Sequence, residues 1–189
     1  MKKVLIEVSA RHIHLSKEDL ESLFGKGYEL EKLKDLSQPH DFAAKETVEI
    51  KAGDRVFPKV RVVGPVREKT QIEFSATDVI SCGKEPVIKA SGSLEGSLGA
   101  VLKGPEGEIE IKEGLIVPRR HLHCSVKEAE ELGLKEGDSV SVKTQGERSL
   151  TFHNVRVRVN EEYRLAVHID TDEGNAAGIK KKTEGTIIV

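Results

Sequence analysis

The sequence predicts a mainly β protein with short capping helices, in which one arrangement occurs twice. Three observations carry that expectation. Short runs of alternating apolar residues are punctuated by tight-turn residues throughout the 189 positions, with 17 glycines and few aromatics. Arg11-His12-Ile13-His14-Leu15-Ser16 returns as Arg120-His121-Leu122-His123-Cys124-Ser125, with His12 and His121 offset by 109. Two hairpin strands also return: Val48-Glu49-Ile50-Lys51 as Val140-Ser141-Val142-Lys143, offset by 92, and Val60-Arg61-Val62-Val63 as Val155-Arg156-Val157-Arg158, offset by 95. A repeat constrains architecture before local detail does.

Residues 2–8 read as a strand leading into the first histidine pair. Ser16 precedes Asp19 by three positions, and Ser125 precedes Glu128 likewise, which predicts a capping box and a helix start just past each pair. The first helix spans about Lys17 to Phe24 and stops at Gly25; the second spans about Val126 to Leu132 and stops at Gly133. Residues 26–46 show turn chemistry at Ser37-Gln38-Pro39 but no clear period. Val48, Ile50, Val56, Val60 and Val62 outline a hairpin turning at Ala52-Gly53-Asp54. After the Gly64-Pro65 break, Gln71, Glu73 and Ser75 alternate with Ile72 and Phe74. Residues 84–118 are strand-like with a turn at 104–107, and a second hairpin from Val140 to Val159 turns at 145–147. Arg164 to Ile169 is the last strong strand, and the lysines at 180–182 read as a solvated tail.

Charge is balanced, with 30 basic and 32 acidic residues, which argues against a nucleic-acid protein driven by bulk charge. No apolar run is long enough for a membrane span, and no signal-peptide or lipidation pattern occurs, so the expectation is a soluble intracellular protein. Cys82 and Cys124 lack zinc-knuckle spacing, and a disulfide is not expected in a reducing compartment.

The histidine pairs carry the chemistry. On an extended segment residues i and i+2 share a face, so each pair presents two imidazoles side by side. The offset of 95 places Glu73 opposite His168, giving two candidate metal triads, His12/His14/Glu73 and His121/His123/His168. Three protein ligands with an open position are the pattern of a catalytic zinc. The plain alternative is that duplication copied a pair of ordinary histidines, and the exchange of Glu for His, one ligand type for another, counts against it. The helix starts add free amides and dipole ends that favour anions. Arg67, six residues before Glu73, suits a phosphate through its planar fork, the bland reading being a solvated turn residue. Arg11 and Arg120 alternate away from the ligands, on the face of Ile13 and Leu122, and suit either a carboxylate partner or a reach to a ligand's edge. Cys124, directly after the second pair, is a candidate thiolate ligand or nucleophile, but it too alternates away from the imidazoles and is read as packing; His40 and His153 are read as surface residues.

Five stretches are specific to one family: Ser9-Ala10-Arg11-His12-Ile13-His14-Leu15-Ser16, Asp35-Leu36-Ser37-Gln38-Pro39, Val63-Gly64-Pro65-Val66-Arg67, Arg120-His121-Leu122-His123, and His168-Ile169-Asp170-Thr171-Asp172-Glu173-Gly174-Asn175-Ala176-Ala177-Gly178. With them the chain resembles, over nearly its whole length, the phosphotransacylase family of bacterial microcompartments, the phosphate propanoyltransferase type associated with propanediol degradation. The resemblance implies conversion of acyl-CoA (propanoyl-CoA or acetyl-CoA) and phosphate to acyl phosphate and CoA at a dinuclear zinc site. Other divalent transition metals would also suit these ligands. It implies the same two triads as ligand sets, phosphate on Arg67, and CoA contacts at Ser9, Ala10, Arg11, Arg61 and Asn175. The implied fold is two tandem β-barrels related by the internal repeat, with the active site between them. Residues 1–10 would join 119–189 in one barrel, and 11–118 would form the other. A homodimer without nucleic-acid or membrane partners is expected. Members of the family usually carry an amphipathic N-terminal extension; the first strand here begins almost at Met1, so a cytoplasmic rather than a microcompartment-lumen enzyme is expected. Cys124 stands where Met is usual, and His40 where a small residue is usual. The enzyme alternative is a dinuclear metal hydrolase of a thioester or phosphoester, and the non-enzymatic one a two-barrel metal- or nucleotide-binding module.

Overall fold

The computed structural model describes residues 2–188. The strands are β1 (Lys2–Val8), β2 (His12–His14), β3 (Lys32–Asp35), β4 (Phe42–Ala52), β5 (Arg55–Gly64), β6 (Gln71–Glu73), β7 (Ile88–Lys89), β8 (Leu98–Lys103), β9 (Glu108–Pro118), β10 (His121–Cys124), β11 (Ser139–Lys143), β12 (Thr151–Val159), β13 (Ala166–Ile169) and β14 (Lys182–Ile188). Four short helices accompany them: α1 (Lys17–Phe24), α2 (Ala76–Ser81), α3 (Val126–Leu132) and α4 (Thr171–Ala177). The chain divides into two compact units, Met1–Ala10 with Arg119–Val189, and Arg11–Pro118.

The first unit is a closed six-stranded barrel in the order β1-β13-β10-β12-β11-β14. Inward residues of successive strands (Ile6, Leu122, Val142, Val155, Val157, Val167, Ile187) fill its interior with Cys124 among them. In the second unit β4, β5, β2, β6, β9 and β8 pair in turn, and β8 pairs back with β4, closing a second six-stranded ring. Ile13, Leu20, Leu23, Ile50, Val62, Ile72, Phe74, Leu102 and Leu115 form its core. Closure leaves no open edge among the ring strands, and the short β3 and β7 lie outside it.

The pairing patterns of the two rings correspond strand by strand. The histidine strand runs parallel to one neighbour and antiparallel to the other in both: β2 with β5 and β6, β10 with β12 and β13. Antiparallel register sets His12 opposite Glu73 and His121 opposite His168. A further correspondence lies in β1 and β9: Glu7 pairs with His168 in one ring, and Ile116 pairs with Glu73 in the other. Glu7 to Ile116 is again an offset of 109, so the repeated piece begins before the histidine pair. Each copy's leading strand lies in the ring that holds the rest of the other copy.

The helices begin and end where the caps direct. Ser125 accepts from Glu128 N–H while the Glu128 carboxylate accepts from Ser125 N–H, a complete capping box. The expected second box is only half formed. Ser16 accepts from Asp19 N–H, but Asp19 is one methylene shorter than Glu128, and Thr70 stands between: its hydroxyl accepts from Ser16 N–H and donates to the Asp19 carboxylate. The lysines at 180–182 are not a tail. Lys182 opens β14, which pairs with both β1 and β11 to close its barrel.

Candidate metal centres

Each triad is assembled within one unit by sheet register. His12, His14 and Glu73 offer donor atoms that all lie within 4.8 Å of one another, and so do His121, His123 and His168. In the first triad His12 Nε2 and His14 Nε2 are 3.2 Å apart; Glu73 Oε2 lies 3.5 Å from His12 Nε2, and Glu73 Oε1 lies 3.9 Å from His14 Nε2. Donors at about 2.0–2.2 Å from a tetrahedral zinc stand roughly 3.3–3.6 Å apart. The spacing therefore fits such an ion with small adjustment, and the donor set of imidazole and carboxylate fits its chemistry.

The local structure fixes which nitrogen is offered. His14 Nδ1 lies 3.0 Å from the Val63 carbonyl. A carbonyl only accepts, so Nδ1 carries the proton and Nε2 keeps its lone pair. His121 is set in the same way by the Arg119 carbonyl, 2.9 Å from its Nδ1. Burial first, then the nearby His12 and Arg67 charges, push the His14 pKa down from 6.5 to about 3, which keeps the ring neutral and ready to ligate. In the second triad the His121 and His168 rings stack at 5.3 Å, and His123 packs against Tyr163 at 4.2 Å between ring centroids.

Arg67 is anchored at the first triad. Its backbone N–H donates to the Leu15 carbonyl just past His14, and Ser16 and Arg67 form an isolated bridge. Its guanidinium donates to Ser91 Oγ at 3.2 Å. The same charge is felt by Asp41, whose carboxyl is raised by burial and lowered in smaller part by Arg67 and His12. Gly64, three residues earlier, has no room for a side chain: an added Cβ would meet the Phe42 ring.

The remaining expected residues are more scattered. Ser9 donates its N–H to Ile169, extending the β1–β13 pairing, and Ala10 is exposed. Arg11 is bound by a two-pronged ion pair to Asp78 (2.9 and 2.7 Å), and Arg120 pairs with Glu173 at 2.6 Å, carboxylate partners of the kind their alternation away from the ligands suggested. Arg61 directs one terminal nitrogen to the carbonyls of Ala44, Lys45 and Glu46, where β4 departs from regular register. Asn175 is exposed on α4. Cys124 is fully buried, and burial pushes its thiol up to about 11, so it is a packing residue and not a thiolate. His40 and His153 are exposed.

Three neighbours of the triads were not singled out by sequence. Glu7 Oε2 is 3.8 Å from His168 Nε2. Tyr163 covers His123. Gln71 donates to Glu73 at 2.6 Å. For Gln71 a signal existed, because it shares a strand face with Glu73 two residues on; Glu7 comes from a distant strand that only the pairing brings in, and Tyr163 from the turn before β13, which no strand period marks.

Comparison with known proteins shows the family. The profile of the family described as phosphate propanoyltransferase matches residues 5–180. A phosphate propanoyltransferase of Thermotoga maritima is 48% identical over 175 residues, covering 92% of this chain and 83% of its own length. One of Lachnoclostridium phytofermentans is 49% identical over 177 residues (93% and 83%), and one of Listeria monocytogenes 40% identical over 185 residues (98% and 87%). The match takes in both histidine pairs, Arg67, Glu73 and His168, and the chain belongs to the phosphate propanoyltransferase family, a family of acyltransferases.

Proposed function

We propose that the chain is a zinc-dependent phosphate acyltransferase, moving a propanoyl or acetyl group between coenzyme A and phosphate. The observation that carries this is Arg67, held by its backbone to the end of the histidine strand beside a triad of metal-donor atoms. A guanidinium fork next to a cation site suits a phosphate dianion. The relatives' names supply the acyl group and the phosphate acceptor.

When bound, two zinc ions would supply Lewis acidity for the thioester carbonyl and charge neutralisation for phosphate. The triad of His12, His14 and Glu73 is assigned to phosphate because Arg67 stands there, and the triad of His121, His123 and His168 to the thioester. Arg67 binds phosphate and orients one oxygen toward the acyl carbon, which removes the entropy of a chance encounter. That oxygen forms the new C–O bond, the C–S bond breaks, and CoA takes up the proton that phosphate gives up. No acyl-enzyme is needed, consistent with the buried, protonated Cys124. The reading also carries a homodimer, which molar mass in solution by light scattering would check.

The test is release of CoA thiol from propanoyl-CoA and acetyl-CoA, with and without phosphate, by protein of known metal content. Release that requires phosphate and bound zinc is the expected result. Release without phosphate would replace the transferase with a metal hydrolase.

A further inference from the structure

We infer that Gln71 is a positioning residue that fixes which oxygen of Glu73 is offered to a metal and, through Ser91, ties Arg67 to that carboxylate. Its second half rests on the phosphate reading of Arg67; its first half does not.

Gln71 is 1% exposed and lies on β6, on the face that carries Glu73. Its amide orientation is set by chemistry: Gly92 N–H donates to Oε1 at 2.7 Å, and a backbone N–H cannot accept. The NH2 end therefore points the other way, donating to Glu73 Oε1 at 2.6 Å and to Ser91 Oγ at 2.8 Å. Ser91 Oγ also accepts from Arg67 at 3.2 Å. The result is a hydrogen-bonded chain, Glu73–Gln71–Ser91–Arg67, running from the metal-donor carboxylate to the guanidinium.

Two consequences follow. The Gln71 amide holds Oε1 of Glu73, which leaves Oε2, 3.5 Å from His12 Nε2, as the ligating oxygen. The turn that carries Ser91 and Gly92 is pinned to the same amide, so the support under Arg67 moves with the metal ligand. Register places Ala166 opposite His123 where Gln71 stands opposite His14. An alanine offers no side-chain donor, so the device belongs to the triad with the arginine and is absent from its copy.

The experiment is zinc competition against a chelator for the wild type, Gln71→Met and Glu73→Ala, with the two zinc affinities resolved. Methionine fills similar volume without the amide. Partners that orient a ligand are typically worth about 10–100-fold in metal affinity. Gln71→Met should weaken one site by that factor and leave the other unchanged. In a Glu73→Ala background the same substitution should add nothing, which a general packing defect would not reproduce. Zinc affinities within twofold of wild type, or an equal further loss in the Glu73→Ala background, overturn the first half. Ser91→Ala keeps the Gln71–Glu73 bond and should raise the KM for phosphate several-fold with zinc affinity intact; an unchanged KM overturns the second half. If the wild type itself releases thiol without phosphate, the phosphate reading fails, and the zinc measurements still decide the role of Gln71.

Discussion

His14 offers a sharp test of how the first triad is built. It is 3% exposed, and its pKa is lowered from 6.5 to about 3 by burial, with the His12 and Arg67 charges adding to it. In the unfolded chain the ring takes up a proton below about pH 6.5; in the folded, metal-free protein it does not until about pH 3. The unfolded state thus binds more protons across that window, and stability falls as pH falls through it, at most about 1.4 kcal/mol per pH unit. Between pH 7 and pH 5 the loss from this one ring is roughly 2 kcal/mol. Asp41, raised by burial, works in the opposite direction at lower pH, but it does so with or without His14. The assay follows from composition. The chain has two tyrosines and no tryptophan, Tyr28 in one unit and Tyr163 in the other. With Tyr163→Phe as background, Tyr28 emission reports on Arg11–Pro118 alone. Denaturant unfolding of the metal-stripped protein at pH 7 and 5 should show the loss, and His14→Gln, which keeps a donor for the Val63 carbonyl, should lack it. Equal losses in both proteins would mean that the buried site admits the proton, and the account of a ring held neutral for ligation would be wrong.

Three further outcomes are expected. Arg67→Met should raise the KM for phosphate about 10–100-fold, a loss of roughly 1.4–2.7 kcal/mol of binding, while zinc content measured by atomic absorption stays at the wild-type level. Cys124→Ala should leave turnover within about twofold and lower unfolding stability by about 1–2 kcal/mol, read by denaturant titration, because it removes a buried thiol and no nucleophile. Asp170→Ala should lower the stability of the unit holding α4 by about 1 kcal/mol, since the carboxylate caps Glu173 N–H at 2.8 Å within a complete capping box.

Much of the site was legible because it depends on local rules. The histidine pairs announce themselves by i, i+2 spacing, α1 and α3 by a Ser at one end and a Gly at the other, and Glu73 and His168 by a repeat offset that the sheet register reproduces. What was not legible depends on partners distant in sequence. The strand β3 is exposed along its whole length and so has no apolar period to read. In β14 one of the two buried positions is Gly185, where any Cβ would meet Ile6, so only Ile187 marks the interior face and the stretch resembles a loop after a lysine run. The exchange of β1 and β9 between rings leaves no local mark at all. Arg61, a CoA contact only by resemblance, directs part of its guanidinium to three backbone carbonyls of an irregular stretch of β4, which no local pattern shows.

The two triads are copies in geometry and not in charge. In the ring of the first triad, Glu73 has Ile116 as its register partner; in the ring of the second, His168 has Glu7. The carboxylate has changed strands, from the one opposite the histidine pair to the one beside it. With a divalent cation bound and the imidazoles neutral, each centre then has one carboxylate at or near its donor set, and neither is left as a bare dication on three imidazoles. The placement still differs. Glu73 stands among the donors, whereas Glu7 is 3.8 Å from the far ligand and outside the set whose atoms lie within 4.8 Å of one another. A direct carboxylate ligand donates charge and lowers the acidity of an ion, so an ion held by the triad with Glu73 would be the milder Lewis acid and, on the proposed reading, would gain its anion affinity from Arg67. An ion on the all-imidazole triad would keep more of its charge for an approaching oxygen or sulfur. This electrostatic difference accords with the proposed assignment, made on Arg67, of phosphate to the first centre and the thioester to the second.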